Sequence, residues 1–531
     1  MTSRRHFLQM LGSSAAVGTP LFDTLFTGQR LLGGMAGTAA LAAGLGASTN
    51  AQAADAPLTI AFPVDVPSWD PLVRVAPNPI SIYRCVFDAA LDIDEKGALS
   101  PAFVTAWRWQ DAAGTVLELD LRDDVYFHNG DKASSDDFKF TYFDRLHADK
   151  TLQVGGVWWA LEKIETPTPT KAVMHFKAPM VSAPAYLAYL GGYLMPRRYF
   201  EKVGKDGFIA KPVGSGPYRL TDYQPDSRIT LTAFDKHWRG APKIRDVVFQ
   251  VVKDSTARIS AVQAGQSGFA AGLPLKQTVR LGTSPGLASK VTPTSDTYLI
   301  HMINAGPTAE KNVRLAMHHA IDKAALARAF FSDVPKPQST PAAPGTPAYD
   351  PSYTFAHDPA LATSLLAASG FSPAKPVKLP FLATNGAYPG DLDMARAIVQ
   401  MWKQVGIDAQ LTVIEPVQFF TQAAAGTLAG PVLWMWQNGS GDPELSAGSY
   451  LNPKGPFAVW RSADISAYLD PLTTQTDEAK RIAGYKVFHR WAVEQGYALP
   501  LLQGIATAAY KHSVNYTPFL SGWMLPDYWS A

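Results

Sequence analysis

Hydrophobic and polar positions fall into short runs whose period changes along the chain, and each change marks a new element. Leu58-Thr59-Ile60-Ala61-Phe62 is an apolar, partly β-branched run that predicts a strand, and Pro63, Pro67 and Pro71 break the next stretch into an extended loop. From Thr115 to Leu121 apolar and polar residues largely alternate, so that strand should bury one face and wet the other. Asn129-Gly130 is a hairpin-type turn, and Ser134-Ser135-Asp136-Asp137 offers the short polar side chains that satisfy the free N–H groups of a helix start. The helix predicted from Asp136 to His147 carries Phe138, Phe140, Phe143 and Leu146 as a broad apolar face. Strands recur at Ile229 to Phe234 and Asp246 to Val252, followed by a helix over Ser255 to Gly265. Lys311 to Phe331 reads as one long amphipathic helix, ahead of a proline-rich loop through Pro335, Pro337 and Pro341 to Pro347. Asp358 to Ser369 and Met394 to Val405 predict two more helices, ended by Gly370 and Gly406. The mixture of periods predicts an α/β chain.

Composition narrows this picture. With 531 residues, 47% hydrophobic and 17% charged, the chain can bury a large core and should divide into more than one lobe. Its 47 Lys and Arg against 45 Asp and Glu give a net charge of +2, so no broad basic field exists to hold a nucleic acid. Cys85 is the single cysteine, which excludes an intrachain disulfide, and its apolar neighbours fit an inert buried thiol.

The N-terminus is expected to be an export signal. Arg4-Arg5 followed by Phe7-Leu8 resembles a twin-arginine signal, a small apolar run extends from Leu31 to about Ala47, and Ala51-Gln52-Ala53 offers a cleavage site. Asp23 and Arg30 depart from that pattern. The apolar run falls short of the roughly 20 residues that a spanning helix needs. Residues 1–53 are therefore read as a signal peptide and the mature chain as a soluble periplasmic protein.

No catalytic constellation emerges, and no cofactor or metal set is predicted. Asp226 and Asp235 stand apart from other carboxylates, and His318-His319, adjacent on a helix, point about 100° apart, which suits a shared metal poorly. Gly214-Ser215-Gly216-Pro217 lacks the lysine of a phosphate loop and the flanking pattern of a serine elbow, and reads as a tight turn. His128 comes after a strand, and His301 is the one candidate for a metal or haem ligand.

Four segments resemble one family. They are Ser100 to Trp107 with Leu119 to Gly130 and Asp136-Asp137-Phe138; Pro212 to Leu220 with Asp235-Lys236-His237-Trp238; Tyr298 to Asn304 with Val313 to Lys323; and Ala360 to Gly370 with Trp402 to Ile407. Together, and in this order, they resemble the peptide/opine/nickel group of bacterial extracellular solute-binding proteins, family 5. The resemblance implies a class II, large-type Venus flytrap: two α/β lobes, the first with an extra subdomain, joined by two crossover hinge strands. Carried onto this chain, it implies lobe I over residues 54–296, a hinge strand over 297–304, lobe II over 305–498, and a return strand with the rest of lobe I over 499–531. It further implies a monomer that closes on a small polar organic solute, peptide-like, an opine or an oligosaccharide, and delivers it to ABC transporter permease subunits. A metal or haem carrier on the same scaffold, and a secreted hydrolase, stay open as alternatives.

In the dipeptide-binding branch of that family an aspartate holds the ligand ammonium and an arginine its carboxylate. The aligned positions are Gly439 and Asn385, so both charges are missing, and Asp442 is the nearest substitute for the first. The expected ligand wall is aromatic and neutral-polar: Trp69, Tyr298, Asn385, Tyr388, Trp434, Trp436, Gln437, Asn438 and Asp442, with Trp158 and Trp159 as further candidates.

Overall fold

The computed structural model describes residues 56–74, 79–455 and 458–530. The expected export signal lies outside them. Ten strands form one twisted sheet: β1 (Leu58–Phe62), β2 (Tyr218–Gln224), β3 (Arg228–Ala233), β4 (Asp246–Val251), β5 (Phe269–Ala271), β6 (Leu287–His301), β7 (Val377–Ala383), β8 (Ile407–Val413), β9 (Val432–Trp436) and β10 (Ala498–Lys511). Their spatial order is β8-β7-β9-β6-β10-β5-β1-β4-β3-β2. β1 lies parallel to both β4 and β5, and its sequence is largely unbroken apolar because a strand covered on both faces has no wet side to keep polar.

Two large hydrophobic cores flank the middle of this sheet. One gathers residues from Leu58 to Ala271 together with the C-terminal stretch around Trp523 and Trp529, and the other takes Leu275 and residues from Tyr298 to Ile505. The molecule is thus two-lobed. The long antiparallel pair β6 and β10 passes from one lobe to the other. Its register breaks where Thr294, Ser295 and Asp296 together face Gly504, between the pairs Pro293 with Ile505 and Thr297 with Gln503. A Cβ on Gly504 would lie 2.7 Å from the Thr294 hydroxyl and 2.8 Å from Cβ of Asp296, so the extra residues fit only opposite a glycine. This break lies just before residues 297–304, of which Tyr298 to Ile300 are already inside the second core.

The first lobe also holds a separate four-stranded antiparallel sheet built from Val104–Trp109, Val116–Leu121, Leu161–Thr168 and Lys171–Phe176. The alternation read in the sequence is real here, since Leu117, Leu119 and Leu121 are buried between more open neighbours. The expected polar helix start is a capping box between Ser134 and Asp137, and the helical run continues through a π turn at Phe140–Asp144 to Ala148. One expectation fails. Lys311 to Phe331 is two helices, Lys311–His319 and Lys323–Phe331, because the Asp322 carboxylate accepts the Ala325 N–H at 2.8 Å and starts a new helix. The apolar residues stay in phase across the break, which is why their spacing concealed it.

Among the described residues no helix is long and apolar enough to cross a membrane.

Candidate functional site

The segment after β9 folds into a compact knuckle over residues 438–446. Asn438 ties it together, donating through Nδ2 to the Asp442 carbonyl at 2.9 Å and to the Ser446 hydroxyl at 3.0 Å while accepting from Ser440. Gly441 takes φ +66°, a left-handed turn that glycine adopts without strain. The knuckle belongs to the second lobe by chain connection, yet it is seated in the first. Leu445 packs in the first core, Gly439 lies against the rings of Tyr189 and Trp523, and the Ser182 hydroxyl donates to the Glu444 carboxylate.

Charges at this junction are unevenly matched. Arg481 grips Asp442 through two bonds of 2.7 and 2.8 Å and comes within 3.6 Å of Glu444. Burial pushes the Glu444 carboxyl up despite that guanidinium. Asp296, at the register break, is only 5% exposed, and its carboxylate accepts the Asn438 N–H at 3.0 Å and the Thr294 hydroxyl at 3.1 Å. No ion pair among the described residues includes it. Burial pushes it up to about 7, against the pull of those two bonds.

A neighbouring loop, residues 384–391, is shaped by the buried carboxylate of Asp391, which accepts the Thr384 hydroxyl and the N–H groups of Gly386, Ala387 and Tyr388 at 2.7 to 3.2 Å. Burial, and behind it the Asp296 charge, raises the hydroxyl of Tyr388 on this loop and that of Tyr189 across the junction. Asp296 therefore stands between the lobes.

The candidate ligand-wall residues distribute unevenly around this point. Asn438 and Asp442 are in the knuckle, Trp436 leads into it with Nε1 donating to the Leu445 carbonyl at 2.6 Å, and Gln437 is half-buried beside them. Tyr388, on the 384–391 loop, packs edge-on against Trp434 at 5.3 Å in the second core. Trp434 is 3% exposed and stacks on Phe419 at 4.2 Å, so it packs the second core. Tyr298 is fully buried there and donates to the Pro389 carbonyl at 2.8 Å. Trp69 packs edge-on against Tyr223 at 5.4 Å inside the first core, among neither the knuckle nor the 384–391 loop. Trp158 donates to the Gly191 carbonyl within the first core, whereas Trp159 is exposed. Asn385 is exposed at its loop tip.

The residues weighed for chemistry have structural employment. His128 brackets the Gly214–Gly216 turn, with Nε2 2.9 Å from the Gly216 carbonyl, and burial pushes it down to about 4. A Cβ on Gly214 would sit 2.0 Å from the Val86 carbonyl, which explains the glycines as a close backbone approach. Cys85 is buried, and burial pushes its thiol up. His301 is enclosed by the rings of Phe419, Trp436 and Tyr450, and burial pushes it down to about 3. It belongs to no group of three or more His, Cys, Asp or Glu side chains able to hold a metal among the described residues.

Comparison with known proteins places this geometry. Residues 98–457 match the family described as bacterial extracellular solute-binding proteins, family 5 Middle. The chain is a family 5 solute-binding protein. This family 5 protein is similar to the glutathione-binding protein GsiB of Salmonella paratyphi A, 24% identical over 461 residues that cover 84% of this chain and 87% of the relative. In fold it is similar to NikA from Brucella suis, in complex with Fe(III)-EDTA, with TM-score 0.78 and 22% identity over 90% of this chain and 100% of that one. A dipeptide-binding protein from Pseudoalteromonas sp. SM9913, in complex with Met-Leu, superposes with TM-score 0.76 at 19% identity, again over 90% and 100% of the two chains.

Against the dipeptide-binding pattern, Gly439 has no room for a side chain, since its Cβ would lie 2.8 Å from Trp523 and 2.9 Å from Tyr189. Asp442 already has its charge matched by Arg481. Sequence reasoning passed over Asp296, Tyr189, Trp523, Ser182 and Glu444. The one available signal was an acid, Asp296, two residues ahead of the apolar stretch Tyr298 to Ile300.

Proposed function

We propose that this family 5 protein is the periplasmic substrate-binding component of an ABC importer, capturing a small polar, peptide-like solute between its lobes and handing it to a membrane permease. The observation that carries this reading is the knuckle at 438–446, held by the second lobe and seated in the first, next to a two-strand crossing whose register is broken. That pairing of a docking element with a soft waist suits a body that opens and closes. We place the pivot at Thr294–Asp296 opposite Gly504, where three residues against one leave the ladder weakest. Peptide-like cargo is supported by the relatives, one named for glutathione and one seen with Met-Leu. The protein acts by binding alone, as a monomer, after export and cleavage near Ala54.

Ligand closes the lobes by binding the closed state more tightly, and a shift from mostly open to mostly closed requires roughly 5.5 kcal/mol of such preference. The test is a thermal-shift panel of dipeptides, glutathione, opines and oligosaccharides on the chain from Ala54 onward, then calorimetry and small-angle scattering on each hit. A true ligand at 100 times its Kd should stabilise the chain by about 2.7 kcal/mol and shrink its radius of gyration. Chemical turnover of the hit, binding of nickel or haem alone, or binding without compaction would each contradict the reading.

A further inference from the structure

One carboxylate at the lobe junction has a site's worth of surroundings and no charge partner. Asp442 and Glu444 share the Arg481 guanidinium, but no cation is paired with Asp296 among the described residues. The groups that face it come from both lobes. Thr294 on its own strand and the Asn438 amide from the knuckle donate to it, while burial, and behind it the Asp296 charge, raises the hydroxyls of Tyr189 from the first lobe and Tyr388 from the second. Tyr189 in turn packs beside Trp523 with ring centroids 5.9 Å apart, and both rings touch the knuckle at Gly439.

A buried carboxylate that keeps its charge needs more than two hydrogen bonds, and its remaining choices are a proton or an incoming cation. A structural role would be served by a neighbouring lysine or arginine, as Arg481 serves Asp442. Here the place of that cation is left to something else, at the waist between the two lobes. We propose that Asp296 receives the ammonium group of the captured solute, so that the solute class is an organic amine such as the free N-terminus of a peptide. This rests on the receptor reading above and narrows it. Because the unliganded group sits near neutrality, a cation that docks on it displaces its proton to solvent.

The experiment uses the chain from Ala54 onward, wild type and Asp296→Asn, titrated with Ala-Phe and Met-Leu and with the same dipeptides N-acetylated. In wild type, acetylation should weaken binding at least tenfold, and the heat at pH 7 should vary with the ionisation enthalpy of the buffer, reporting proton release. Asp296→Asn should bind the free-amine peptides at least tenfold more weakly, abolish the buffer dependence, and leave the unliganded scattering profile unchanged. Equal wild-type affinity for acetylated and free peptides overturns the assignment, and so does a preference for free amines that survives in Asp296→Asn. If the wild-type protein takes only neutral or anionic solutes and still compacts around them, Asp296 loses its role while the receptor reading stands. If no solute compacts it, both fall.

Discussion

Replacing Gly439 by alanine adds one methyl group at the contact between the two lobes. Its Cβ would sit 2.8 Å from the ring of Trp523 and 2.9 Å from that of Tyr189, and both rings are anchored in the first core. Neither can retreat easily, since Trp523 also lies under the Arg84 guanidinium at 4.2 Å and Tyr189 packs against Trp523. Gly439 is not among the positive-φ glycines, so alanine fits its backbone. Overpacking of this kind costs about 1 to 3 kcal/mol. The neighbours belong to the opposite lobe, so the whole cost falls on the closed state and none on the separated lobes. At about 1.4 kcal/mol per factor of ten, solute affinity should fall about 5- to 150-fold. Calorimetry of G439A with any solute identified by the panel measures that loss, and small-angle scattering should show a more open unliganded protein with an unchanged unfolding midpoint for the separate lobes. Affinity equal to wild type, or a loss of fold stability without opening, would refute the reasoning that this contact forms on closure.

Arg481→Ala should destabilise the chain by about 3 to 5 kcal/mol, because it leaves Asp442 and Glu444 buried without their shared cation; urea unfolding checks it. Asp391→Ala removes the acceptor of four bonds within the 384–391 loop and should cost about 2 to 3 kcal/mol, with faster hydrogen exchange at the amides of Gly386, Ala387 and Tyr388. For Asp296 the folded chain holds a proton up to about pH 7 that the unfolded chain releases near 3.8. Its contribution to stability is therefore complete below pH 3.8 and is lost as pH rises through 7. Wild type should lose stability relative to Asp296→Asn between about pH 4.5 and 7.5, by at most about 4 kcal/mol, in paired urea titrations; a constant difference would contradict this.

Local signals carried the elements, and contacts distant in sequence carried the site. The strand at Val116–Leu121 was legible because a single buried face forces alternation, and the helix start at Ser134 because its short polar residues follow one another in sequence. The break at Asp322 was hidden by apolar positions that keep their phase on both sides of it. Trp434 and Tyr298 were expected on the ligand wall and are packed in the second core, since an aromatic side chain in a strand looks the same whether it faces a cleft or Phe419. Asp296 escaped notice because Ser295-Asp296-Thr297 reads as a polar turn until Gly504, more than two hundred residues later, is laid beside it. The same holds for Ser182 and Glu444, which lie 262 residues apart and meet across the lobe junction.

The three-against-one mismatch at Gly504 has a consequence for the order of events in capture. When two bodies swing about an axle, points near the axle travel least, and the start of the knuckle is tied to that axle because the Asn438 N–H donates to Asp296. A guest anchored at Asp296 would meet its first contact already in place before the jaws move, so arrival would be governed by an open gate and residence by the later closing of the far ends of the jaws.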